Sequence, residues 1–191
     1  MSSKSIAILV GGSDLFLGMR GISKGTKIIE QNIKSAFDEV MVLNYNYFLD
    51  FGSALYKLKN HFNPKKDYNR IVLYGYSKGG EVVLQLSKFL EESVIIDLLI
   101  TIDIANGPWS SKIDRHVPSN VRKNINVFQR NPNFPLRSYG LPAFSNHLIE
   151  VENIDVTNKI FHNKKINHTT IEIIMAENVI SWIRNYQAKV D

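Results

Sequence analysis

The chain has 191 residues, 44% of them hydrophobic and 21% charged, which suits one folded domain spanning 1–191 and excludes a disordered or fibrous protein. It has no cysteine, which excludes a disulfide framework, a cysteine zinc site and a thiol nucleophile. Its formal charge of +5 comes from lysines and arginines scattered along the chain, with only short clusters such as Lys164-Lys165. This excess reads as a mixed solvated surface, compatible with weak attraction to anionic membranes, and not as a nucleic-acid footprint.

Taken in chain order, apolar runs alternate with helical patterns. The opening "MSSKSIAILVGGSD" has one lysine and an apolar run too short for a secretory leader, and no later stretch reaches the length of a membrane span. A soluble, cytoplasmic protein is therefore expected, with export by a route lacking a cleaved signal left open. Residues 5–10, "SIAILV", form a short continuous run ending at Gly11-Gly12, as a buried parallel strand does. From about 22 to 38, Ile29, Ile33 and Phe37 recur every four residues and predict an amphipathic helix. "EVMVLNY" (39–45) is a second strand, and Phe51, Leu55, Leu58 and Phe62 predict another helix.

"RIVLYG" (70–75) is the third strand, with a helix from Lys78 to about Glu91. "DLLITIDIA" (97–105) is the fourth and "NINVFQR" (124–130) the fifth. "HLIEVENIDV" (147–156) is the sixth, with Leu148, Val151 and Ile154 as its apolar positions. A final helix is expected from about Thr169 to Ala188. Strand–helix alternation of this kind predicts an α/β protein, a three-layer α/β/α sandwich around a mostly parallel sheet of about six strands. The irregular segment 131–147, carrying Pro132, Pro135 and Pro142, reads equally as a flap over a site or as a surface connection pinned by prolines.

The third strand runs into Gly75-Tyr76-Ser77-Lys78-Gly79-Gly80. Gly75-x-Ser77-x-Gly79 is a G-x-S-x-G pattern, which arises by chance in roughly one chain in fifteen of this length. Its context carries more weight than the match: a strand directly before and a helix directly after are what a nucleophile elbow requires. Small residues two places either side of the serine avoid clashes in so sharp a turn, and Gly80 removes a further side chain where helix crosses strand. The backbone N–H of Lys78 then lies at a helix N-terminus, where partial positive charge favours an oxyanion. Tyr76 and Lys78 flank the serine. Tyr76 is a candidate substrate contact, and the Lys78 side chain either attracts anionic substrates or reaches into solvent.

With this motif and this order of elements, the chain resembles the α/β-hydrolase superfamily, specifically its small serine esterase, lipase and thioesterase-like members. The resemblance runs from Ile6 to the last helix. The two leading antiparallel strands of larger members are missing, and 106–123 leaves little room for a helical cap. What it implies is a minimal α/β-hydrolase fold and a hydrolase of carboxylic esters or thioesters. The nucleophile, acid and histidine follow in that chain order, with no metal or organic cofactor.

Of the five histidines (His61, His116, His147, His162 and His168), His168 falls where the family places its catalytic histidine, just before the last helix, with His162 as the main rival. The family's usual acid slot, after "NINVFQR", contains no Asp or Glu. The known alternative, the end of the preceding strand, is Asp103, whose ordinary role would be to cap a turn; Asp155 is the fallback. The second oxyanion N–H falls on Ser13 in "LVGGSD", where Gly11 replaces the family's histidine. A phosphate-binding loop is the rival there, but the spacing fails both nucleotide-binding patterns. The implied partner is a small acyl ester or thioester, and the oligomeric state is open. A lipase or phospholipase working at membranes, or a non-catalytic ligand-binding protein on the same fold, are the alternatives.

Overall fold

A computed structural model describes residues 4–12, 22–44, 68–90, 94–131 and 138–186. The helix expected over Phe51–Phe62, residue Ser13 and the stretch 132–137 lie outside the described residues. The strands are β1 (Lys4–Gly11), β2 (Glu39–Asn44), β3 (Tyr68–Tyr76), β4 (Ile96–Ile102), β5 (Val121–Phe128) and β6 (Glu150–Asp155). They form one six-stranded sheet in the order β2-β1-β3-β4-β5-β6, and every pairing is parallel. Between them lie α1 (Lys24–Ile33), extended by a 3-10 turn over Lys34–Ala36, and α2 (Lys78–Phe89). After β6 come a short antiparallel hairpin, β7 (Ile160–Phe161) with β8 (Lys164–Lys165), and the long α3 (His168–Asn185).

The period-two alternation of the strands divides the core into two layers. Ile6, Ile8 and Val10 of β1, with Ile71 and Leu73 of β3, pack against Val82, Val83 and Leu86 of α2. Their neighbours Ala7, Leu9, Val72 and Tyr74 point the other way, into a layer closed by Ile29 and Ile33 of α1 and by Ile171, Met175, Val179 and Ile183 of α3. Burying each large aliphatic side chain contributes about 1.5–3 kcal/mol, so the central strands hold the sheet as a two-sided core. The expected three-layer parallel α/β sandwich is what the chain forms.

Some boundaries differ from expectation. Phe37 was expected on the first helix, but α1 tightens into the 3-10 turn after Ile33, and Phe37 reaches the core on extended backbone beneath the Arg70 guanidinium. The sixth strand starts at Glu150, not at 147, and Leu148 is fully exposed. β6 is an edge strand in which only Val151 and Ile154 are half-buried, so hydrophobicity there marked its inner positions but not its start. The β7–β8 hairpin was not anticipated. Two-residue strands fall below what hydrophobic periodicity can register.

The sheet positions a site by its connectivity. β2 lies to one side of β1 and β3 to the other. The chain therefore leaves the carboxyl ends of β1 and β3 in opposite directions, which makes these ends the switch point at which open α/β sheets bind ligands in a crevice.

Candidate active site

Ser77 sits at the end of β3, at φ 56° and ψ −122°. A non-glycine residue held there costs about 1–3 kcal/mol, and surrounding structure must impose it. Two bonds do so: the Ser77 N–H donates to the carbonyl of Ile102 on β4 at 2.9 Å, and the Gly80 N–H donates to the Ser77 carbonyl at 3.1 Å. The turn is also crowded. A Cβ on Gly75 would stand 2.4 Å from the Gly79 carbonyl oxygen, and one on Gly79 would stand 2.2 Å from that of Val10. A Cβ on Gly80 would meet Ile104 at 2.9 Å. These glycines let α2 start directly against the end of β1. On the same side, a Cβ on Gly12 would lie 3.0 Å from that of Ser77, so the loop after β1 begins beside the serine.

His168 is the first residue of α3. Asn167 caps that helix, accepting from the Thr169 N–H at 3.0 Å, while its own N–H donates to Thr170 Oγ1 at 3.1 Å. The cap fixes the backbone from which the imidazole projects inward. Its Nε2 lies 2.8 Å from Ser77 Oγ and its Nδ1 lies 2.7 Å from Asp103 Oδ2. A carboxylate only accepts, so Nδ1 carries the proton and Nε2 is left to accept from the serine hydroxyl.

Asp103 follows β4. It is fully buried and, at φ 48°, also in the left-handed region. Its N–H donates to the Val127 carbonyl at 2.7 Å, which ties the turn to β5. A buried carboxylate requires donors, and besides His168 both come from one residue. Gln129 Nε2 donates to Oδ2 at 2.7 Å, and the Gln129 N–H donates to Oδ1 at 3.2 Å. Gly140 closes over the carboxylate so tightly that a Cβ there would lie 2.3 Å from Oδ1. Gln129 thus occupies the place after β5 that contains no acidic residue. As an amide it carries no acid signal in the sequence, although a polar residue ending a buried apolar strand is itself a signal.

Arg115 was also not anticipated. It is buried and donates to the carbonyls of Ile104 and Ser110, each at 2.8 Å, bracing the turn that follows Asp103. Burial pulls its pKa down, and the nearby charge of Asp103 opposes that pull.

Other expected residues fall as follows. Tyr76 is half-buried. Its hydroxyl donates to the His168 carbonyl, and its ring stacks on the imidazole with centroids 5.4 Å apart. Lys78 opens α2, and its ammonium pairs with Glu81 one turn on, with both side chains largely covered. Ser13 lies outside the described residues. His162 is exposed in the turn of the β7–β8 hairpin, where its ring meets that of Phe161, and Asp155 is exposed and bonded to Thr157. His116 packs against Phe144 and His147. The described end of 131–147 is anchored: Asn153 accepts from the Ala143 N–H and donates to its carbonyl, each at 2.8 Å.

No protein-family model matches this sequence, and no curated protein matches it. Solved structures do match in shape. One is the alpha/beta hydrolase domain-containing protein 10 from mouse, with a TM-score of 0.58 and 13% identity, covering 97% of this chain and 90% of that one. A dienelactone hydrolase from Anabaena variabilis matches with a TM-score of 0.55 and 11% identity, covering 96% of this chain and 87% of that one. The esterase domain of a Rhodothermus marinus protein matches with a TM-score of 0.52 and 13% identity, covering 95% and 87%. At such identities the likeness is one of architecture, and the chain has the α/β-hydrolase fold in a minimal form.

Proposed function

We propose that the protein is a serine hydrolase that cleaves carboxylic esters or thioesters through an acyl-enzyme intermediate. The observation that carries this reading is the continuous hydrogen-bonded line Asp103–His168–Ser77, at 2.7 and 2.8 Å, ending on a serine in strained backbone at a strand–helix junction. Fold neighbours that include an esterase domain and a dienelactone hydrolase support it further.

In the proposed reaction, Ser77 Oγ attacks the acyl carbon while His168 Nε2 takes the hydroxyl proton. Asp103 holds the imidazole in the required tautomer and stabilises the imidazolium that forms. The tetrahedral oxyanion receives the Lys78 N–H at the α2 N-terminus, where the helix dipole adds to the hydrogen bond. The N–H of Ser13 is the proposed second donor. The imidazolium then protonates the departing alkoxide or thiolate, leaving the acyl group on Ser77. Water attacks that ester with His168 again as base, and the acid is released. Tyr76, stacked on the imidazole, offers its remaining ring surface to the substrate.

A panel of p-nitrophenyl esters and acyl thioesters of increasing chain length tests this reading. Wild type should hydrolyse at least one class. Asp103→Asn and His168→Ala should each lower kcat by about 10⁴-fold, as for other triads. Full activity in either variant would contradict the assignment.

A further inference from the structure

The hairpin before His168 does something the proposed chemistry does not require. Its two-residue turn, His162-Asn163, has φ of 48° and 60°, the left-handed pair that closes a tight hairpin. Two-residue strands paired only with each other are marginal alone. This pair is fixed at its base, where the Ile166 N–H donates to the Lys159 carbonyl at 3.3 Å and Asn131 Nδ2 donates to the Ile166 carbonyl at 2.9 Å.

What the hairpin displays is apolar. Ile160 is 69% exposed, Phe161 46%, and Ile173, on the adjoining turn of α3, 43%. Between hairpin and helix lies an apolar groove of about 260 Å³, with Lys164 and Lys165 among its lining residues. The charged residues of the hairpin itself are all basic. Lys159, Lys164 and Lys165 are exposed, whereas the only carboxylate within 156–176 is Glu172, which is buried. The nearest exposed carboxylates along the chain are Asp155, which accepts from the Thr157 N–H and faces the Arg130 guanidinium at 3.9 Å, and Glu177, one turn beyond Ile173 on α3. Single exposed hydrophobes are ordinary, but clustered ones flanked by lysines form a contact surface.

We infer that this hairpin docks the protein on an anionic phospholipid surface, with Ile160, Phe161 and Ile173 entering the interface and the three lysines meeting headgroup charge. The combination selects the partner. Nucleic acid would use the lysines but gain little from aliphatic side chains, and a neutral apolar surface would gain nothing from the lysines. His168 follows the hairpin after two residues, so docking would hold the crevice near the lipid surface. The inference does not depend on any reaction at Ser77.

The test is co-sedimentation of the full chain with vesicles of phosphatidylcholine alone or mixed with phosphatidylserine, at low and high salt. Wild type should favour the anionic vesicles, and salt should weaken binding. Lys164→Gln with Lys165→Gln should lower that partition about thirtyfold, about fivefold per lysine, and erase most of the preference. Ile160→Ser with Phe161→Ser should lower binding to both vesicle types by about tenfold. Ser77→Ala should bind as wild type does, which separates this surface from the proposed hydrolysis. Circular dichroism melts establish that each variant folds, and the exposed lysine pair serves if the serine pair does not. Equal binding to both vesicle types, no binding, unchanged binding by the folded variants, or tighter binding to an RNA oligomer than to anionic vesicles would each overturn the inference.

Discussion

Asp103 combines two unfavourable conditions, complete burial and a left-handed backbone. The fold sustains it because each carboxylate oxygen has a donor and the peptide N–H is anchored to β5. Gln129 supplies two of those donors. Gln129→Leu leaves the backbone donor in place and removes the amide, so the carboxylate loses a partner that helps aim it at Nδ1. We expect kcat to fall about tenfold with KM unchanged, since an amide bonded to a charged group contributes about 1.5–3 kcal/mol and part of that serves only orientation. A change confined to KM, or none, would remove Gln129 from this role.

The individual residues of this line differ in how far the sequence discloses them. Ser77 announces itself through flanking glycines and a strand–helix context. Asp103 and His168 follow from chain order once the fold is suspected. Gln129 and Arg115 were hidden because each acts through contacts to a turn whose path only the folded chain defines.

Among the elements, α1 and α3 depend on each other through one buried side chain. Ser23 makes no side-chain cap to α1. Glu172 of α3 caps it instead, accepting from the Gly25 N–H at 3.1 Å, the Thr26 N–H at 3.0 Å and the hydroxyls of Ser23 and Thr26 at 2.7 Å each. The positive end of α1 thus meets a carboxylate supplied by another helix. Glu172→Gln removes the charge and one acceptor, and should destabilise by about 1–3 kcal/mol in urea unfolding. Gly25→Ala would press a Cβ to within 2.5 Å of Glu172 and should cost a similar amount through overpacking. Neutral behaviour of both would refute the cap. Nothing in the sequence marks this link, because Glu172 lies between two isoleucines and its partners are nearly 150 residues away.

Tyr74, whose hydroxyl donates to Glu172 at 3.3 Å, adds a pH dependence. Burial first, and the Glu172 charge second, push its pKa well above the ordinary 10.0. Its contribution to stability is therefore whole below pH 10 and is lost as pH rises toward the folded-state value, because the unfolded chain releases the proton first. Tyr74→Phe should flatten the loss of stability measured between pH 9.5 and 11 (about the span over which an ordinary tyrosine ionises). An unchanged slope would show that another group governs it.

For the molecule as a whole, alternating strand and helix patterns were enough to predict a parallel α/β sandwich, because fully buried strands read as continuous apolar runs and the helices as one-sided repeats. The edge was less legible: β6 is half-buried, so its start was misplaced, and the hairpin after it is too short to leave a pattern. Charge behaved similarly. Lys159, Lys164 and Lys165 are visible in the sequence as a basic stretch, but that they flank exposed Ile160, Phe161 and Ile173 is set only by the fold. The order of the sheet then explains the position of the crevice, since β1 and β3 diverge where Gly12, Ser77 and the start of α2 meet.

We propose that Ser77 is a nucleophile in this site, and covalent labelling of the full chain by a fluorophosphonate, with the modified peptide identified by mass spectrometry, tests this most directly. One adduct is expected, on Ser77, absent in Ser77→Ala and strongly slowed in His168→Ala. No adduct, or equal labelling of the Ser77→Ala protein, would contradict it.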